Sequence, residues 1–149
     1  MDVFTEPPSS PIEHDFLYHF QKYWDVGCTT HAQFDVQTLC GKFVLDFVIV
    51  NPSGRKIGIE CDGAEFHDRG RDAWRDAMIL GERAVDAVYR LRGTDIYHRI
   101  DDVLLVLARF EEDVFSARGH ANLRVLASRE VVEAELDTSA LWFWLDPVG

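Results

Sequence analysis

The chain has 149 residues, 47% hydrophobic and 28% charged, a length and balance that suit one soluble globular domain with its own core. Its formal charge of −11 argues against tight non-specific binding of nucleic acid, which needs a basic face, although a local basic patch on an acidic protein can still meet a phosphate. No apolar run is long enough to cross a bilayer, Met1-Asp-Val-Phe-Thr-Glu6 lacks the design of a secretory signal, and Cys28, Cys40 and Cys61 are an odd, unevenly spaced set, so the expectation is a cytoplasmic protein with buried free thiols.

Residues 1–9 read as a mobile leader. Ser10-Pro11-Ile12-Glu13 then opens a helix, with a serine N-cap, proline at the first helical position and glutamate three residues after the cap. Ile12, Phe16, Phe20, Tyr23 and Trp24 follow at helical spacing and carry it to about Trp24. Gln33 to Gln37 alternates like a half-exposed strand, and Gly41 turns into the next element. The runs Lys42–Val50 and Lys56–Asp62 are rich in β-branched and aromatic residues, and Asn51-Pro-Ser-Gly54 between them makes the pair a β-hairpin.

Residues 64–70 read as a loop or a frayed helix start, followed by a helix to about Gly81 with Trp74, Ala77 and Met78 inward. Ala84 to Arg92 alternates as a fourth strand; reached through a helical crossover, it should lie parallel to its neighbour. Thr94 or Asp95 caps a last long helix whose stripe is Ile96, Tyr97, Ile100, Val103, Leu104, Leu107 and Phe110. Beyond Ser116 the pattern weakens, with Glu130–Asp137 suited to a short acidic helix and Leu141–Leu145 apolar. The expected architecture is an α/β domain of order αβββαβα over residues 10–112, with a mixed four-stranded sheet, and 113–149 as an extension packed on the same domain.

The hairpin poses an electrostatic problem. If Val50 pairs with Lys56, then Val48 faces Gly58 and Asp46 faces Glu60. Alternation puts Val44, Asp46, Val48 and Val50 on one face, beside Gly58, Glu60 and Asp62. Burying an ionised carboxylate is costly unless it is paired or bound to metal, and neighbouring acids push each other's pKa upward. A hard divalent cation such as Mg²⁺ removes both difficulties. A different register would leave Asp46 at a solvated strand end. Glu13 either closes the capping box or joins the acids.

Asp46 on the second strand, Ile59-Glu-Cys-Asp-Gly63 on the third, His67, the Arg71-Asp72-x-x-Arg75 helix and Tyr89-Arg90 resemble, in this element order, the PD-(D/E)xK nuclease superfamily of restriction-endonuclease-like fold. Within it they look most like small bacterial domains related to very-short-patch repair endonucleases, over roughly residues 10–110. The resemblance implies hydrolysis of a DNA phosphodiester with Mg²⁺, or Mn²⁺ in its place, in repair or restriction. It implies Asp46 and Glu60 as metal ligands, the backbone carbonyl of Cys61 as another, and Glu13 as the matching helix-one glutamate.

The chain departs from the superfamily at Asp62, where lysine is usual, so Asp62 either serves a second metal or orients a ligand. His67 is then the candidate to activate water or protonate the leaving oxygen, against its reading as a surface loop histidine. Arg69, Arg71 and Arg75 are expected to hold the nucleic-acid backbone, unless Asp72 and Arg75 merely pair on the helix surface. Arg90 either reaches substrate or neutralises the acids. Trp74, on the apolar stripe, reads as core rather than as a base-stacking platform.

A zinc site built from Cys28, His31, Cys40, Cys61 and His67 fails on spacing, and Cys61 should point away from Glu60. Trp142-Phe-Trp144 either packs back on the domain or offers a surface to a protein partner or a second copy. The rival from another class is an inactive module that keeps the nuclease fold and binds a protein or nucleic acid. RNA as substrate is not separable from DNA by sequence.

Overall fold

The computed structural model describes residues 10–62 and 69–135, with the side chains of 69–72 excepted. Ser10 is extended and its hydroxyl accepts the Glu13 N–H at 3.3 Å, so helix α1 (Pro11–Phe20) starts where the capping signals place it. It is one turn shorter than its apolar spacing suggests: Tyr23 is buried and Trp24 forms an isolated bridge with Phe115, both beyond the helix end. Strand β1 (Thr29–Thr38) begins earlier than its alternation indicates, because Thr29 to Ala32 are held as strand by pairing with Val50 to Phe47. Strands β2 (Gly41–Val50) and β3 (Lys56–Asp62) follow, then helix α2 (Arg69–Gly81) and strand β4 (Ala87–Arg92).

The sheet order is β1-β2-β3-β4, antiparallel except for the parallel β3–β4 pair that the α2 crossover requires. Val50 pairs with Lys56 and Val48 with Gly58, the register expected from the turn. One face of the sheet presents Phe47, Ile49, Ile57, Ile59, Tyr89 and Leu91 to α1 and to helix α4 (Ile100–Phe110). The other face, with Val36, Leu45, Val48 and Val88, packs on Ile79 of α2.

Two further helices differ from expectation. Helix α2 points Asp76 and Ile79 inward and leaves Trp74 50% exposed, edge-on to Phe43, and Ala77 exposed. The reason is electrostatic: the sheet below carries a buried guanidinium, Arg90, and the helix turns so that an acid meets it. The expected single helix after β4 is split into α3 (Gly93–His98) and α4 at Arg99, whose φ of −142° and ψ of 40° are not helical. Arg92, not Thr94 or Asp95, is the N-cap, and Tyr97 of the expected stripe faces solvent while Ile96 is buried.

After a 3₁₀ turn at Glu112–Val114, helix α5 (Ala117–Leu126) is capped by the Ser116 hydroxyl, which accepts the Gly119 N–H at 2.9 Å. Its Leu123 is fully buried in the core shared with α1 and α4. Helix α6 (Arg129–Glu133) is tied down by Arg109, which donates to the carbonyls of Val132 and Ala134. The leader and the apolar run 141–145 lie outside the described residues, among which no helix is long and apolar enough to cross a membrane.

Candidate functional site

Both ladders of β2 step over Asp46. On the β1 side, pairing runs from Thr29↔Val50 to Ala32↔Phe47 and resumes at Phe34↔Leu45, passing over Gln33 and Asp46. On the β3 side the ladder ends at Phe47↔Ile59, one step before Asp46 and Glu60 would meet. Gln33 has a φ of +53°, in the left-handed region that a long side chain rarely adopts inside a strand.

The pleat reverses across this point. Phe47, Ile49 and Ala32 pack on the α1 side, whereas Leu45, Phe34 and Val36 pack on the α2 side together with Val48. Strict alternation from Val44 to Val50 on one face therefore does not hold. Leu45 crosses over Gly58, where a Cβ would come within 3.1 Å of Leu45 Cδ1, and this accounts for glycine there. Where the β2–β3 ladder stops, the Cys61 N–H donates to Asp46 Oδ2 at 2.7 Å, so the carboxylate wedges between the strands beside Glu60.

The acids and their counterions form a layer between the sheet and α2. Glu60 is 4% exposed and receives Arg75 Nη2 at 3.3 Å, while the same nitrogen donates at 2.6 Å to the Val44 carbonyl. Arg90 stands opposite Glu60 in the parallel register and is 1% exposed. Its Nε and Nη2 donate to the two Asp76 oxygens at 2.7 and 2.8 Å, and its Nη1 to Asp62 Oδ2 at 3.4 Å. A guanidinium so buried and so held neutralises the acids around it.

Asp76 is absent from the sequence reading. Its signal is indirect, since a strand arginine destined for burial needs a carboxylate from whatever packs above it. Glu13 supports the start of α1 and also lies near Asp46. Its oxygens accept the Ser10 hydroxyl at 2.8 Å and Gln33 Nε2 at 2.9 Å, so the residue that supports the cap also stands at the ladder gap.

Burial is the main cause that lifts the Asp46 carboxyl to about 6, opposed by its bond from Cys61 and assisted by Glu13 and Asp62. Glu60 is lifted to about 8, by burial first and then by Asp46, with Arg75 and Arg90 pulling the other way. The Cys61 thiol is pushed well above its ordinary value by burial and by the surrounding carboxylates, so it stays protonated and inert. Its side chain joins the core on the face opposite Glu60, as the strand alternation predicts.

His67 lies outside the described residues, and Arg69 and Arg71 are placed only as backbone in the first turn of α2. Cys28 and Cys61 are buried as expected, but Cys40, in the turn between β1 and β2, is exposed; among the described residues no three His, Cys, Asp or Glu side chains converge into a cage for a metal. What the layer offers is a pair of adjacent carboxylates held by different strands, with one partly exposed guanidinium beside them. No family profile, no curated protein and no solved structure matches the chain.

Proposed function

We propose that the chain is a Mg²⁺-dependent endonuclease of the PD-(D/E)xK type, acting on phosphodiester bonds of DNA, with Asp46 and Glu60 as the principal metal ligands. The observation that carries this reading is the double gap in the ladders of β2, which turns Asp46 from a pairing residue into a carboxylate beside the buried Glu60. A protein gains nothing in stability by placing two acids so, and their raised pKa values express the cost of ionising them without a cation.

The donor set suits Mg²⁺, a hard ion that takes one or two carboxylates and keeps several waters rather than filling an all-protein cage. Asp46 and Glu60 would hold it, with the Cys61 carbonyl and Glu13 nearby as further oxygen donors. When bound, Mg²⁺ supplies Lewis-acid polarisation of a phosphoryl oxygen and a lowered pKa for an attacking water.

The residues of the chain supply the rest. Arg75 is 23% exposed along its side chain, and its short bond to the Val44 carbonyl anchors it while its longer contact to Glu60 can be given up. Its remaining N–H groups then face a phosphate, and it takes over the charge that lysine supplies elsewhere in the superfamily. Asp62 is held by Arg90, which Asp76 grips in turn, so Asp62 orients a ligand rather than serving a second metal. His67 is assigned proton transfer to the leaving oxygen, and Arg69 and Arg71 contact the nucleic-acid backbone.

The same engagement of Asp62 by Arg90, with the charge of −11, favours a second reading, a module that keeps the fold without catalysis and docks a protein through residues 113–149. One pair of measurements separates the two. Purified protein with Mg²⁺ or Mn²⁺ should nick plasmid DNA, and Asp46→Ala should abolish this; undiminished nicking in that variant would sink the assignment. Calorimetric titration should show divalent-ion binding that Glu60→Gln removes, whereas the docking module binds none.

A further inference from the structure

We infer that Gln33 is a positioning residue of the cation site: its left-handed backbone opens the β1–β2 ladder at Asp46, and its amide fixes the Glu13 carboxylate beside the gap. The inference rests on the metal-site reading above and adds to it a residue from β1, a strand that reading leaves without a role.

Gln33 and Asp46 occupy the one step that the β1–β2 register passes over between Thr29 and Thr38. A φ of +53° in mid-strand is strained for a residue with a long side chain, and glycine or asparagine would adopt it more readily. Strain of this kind persists where the surroundings hold it in place, and it collects at functional sites. The backbone turn alone would therefore be better served by another residue. What glutamine adds is reach: Nε2 donates to Glu13 Oε1 at 2.9 Å, while the Ser10 hydroxyl donates to Oε2 at 2.8 Å.

With both oxygens engaged, the Glu13 carboxylate is held in one orientation at the end of α1. It stands close enough to Asp46 for its charge to act on that carboxyl. Gln33 thus joins three elements at a single point: α1 through Glu13, β2 by opening the ladder at Asp46, and, through the pleat reversal, the α2 side of the hairpin. Hydrogen bonds that orient metal-ligating carboxylates tune metal affinity, and their loss typically weakens it by about 10–100-fold.

The test uses the full chain and Mn²⁺ as the probe, followed by calorimetry and by the electron paramagnetic resonance of the bound ion. Gln33→Gly keeps the left-handed backbone and removes the amide. It should fold with an unchanged or higher Tm in the absence of metal, and bind Mn²⁺ about tenfold more weakly. Gln33→Val, β-branched and unable to take that φ comfortably, should lower Tm as well as affinity.

If Gln33 acts through Glu13, the double variant Gln33→Gly with Glu13→Ala binds no more weakly than Glu13→Ala alone. Fully additive losses, or wild-type affinity in Gln33→Gly, overturn the positioning role while leaving the metal site standing. Absence of Mn²⁺ binding in the unaltered chain overturns both.

Discussion

A carboxyl whose pKa is higher in the fold than in the unfolded chain holds its proton longer when folded, and this decides how the protein responds to pH. The stabilisation is complete below the ordinary carboxylate pKa of about 4. It is lost as pH rises through about 6 for Asp46 and about 8 for Glu60. Without divalent ions, Tm should therefore fall between pH 5 and pH 9, and Glu60→Gln should flatten that fall and raise Tm at pH 8. Scanning calorimetry across the range checks this; a flat profile for the unaltered chain contradicts it. Mg²⁺ should reverse the trend, because the cation takes the place of the departing protons. At the same scale, Asp76 carries the burden of a buried guanidinium. Asp76→Ala leaves Arg90 without its bidentate partner and should cost about 3–5 kcal/mol, read as a large loss of denaturant midpoint. Asp76→Asn, which keeps one acceptor, should cost less.

Among the elements, α1, strands β1 to β3 and α2 bring the acids and Arg75 together, and α5 packs on the opposite side of the sheet. The hairpin reverses its pleat at Gln33 and Asp46, which brings Phe43 under Trp74 and Arg75. That reversal is also what lets Leu45 fill the hollow over Gly58. On the opposite side, α5 approaches the chain after α1 so closely that a Cβ on Gly119 would lie 2.1 Å from the Tyr23 carbonyl oxygen. Backbone cannot yield there as a side chain would. Gly119→Ala should destabilise by about 2 kcal/mol or more through the forced shift of α5. Activity per folded molecule should be unchanged, since α5 packs on α4 rather than on the acid layer. Thermal melts paired with the nicking assay test both halves; a variant with wild-type Tm contradicts the close approach.

For the molecule as a whole, the charge of −11 makes approach to DNA unfavourable wherever the surface is not locally basic. In the proposed function the bound cation and Arg75 must therefore provide much of the attraction. DNA binding followed by gel shift should be absent in EDTA and appear in Ca²⁺, a hard ion that takes the same oxygen donors. It should also depend on salt less steeply than in a protein that neutralises six to ten phosphates, whose affinity falls by about 10³–10⁵ between 50 and 200 mM. Tight binding in EDTA would place the nucleic-acid contacts elsewhere on the chain.

The sequence by itself determines what is local or periodic. The Ser10 cap, the hairpin register from Val50↔Lys56 and the parallel return of β4 follow from cap and turn chemistry and from the helical crossover, each acting over a few residues or one connection. Only the tertiary structure decides the reversal of the pleat at Gln33, the rotation of α2 that pairs Asp76 with Arg90, the helix break at Arg99 and the seat of Gly119 against Tyr23. Each of these departs from the local pattern because groups distant in the chain must be satisfied together: a buried arginine draws its acid from another element, a carboxylate takes an N–H that the ladder leaves, and a helix settles where backbone meets backbone.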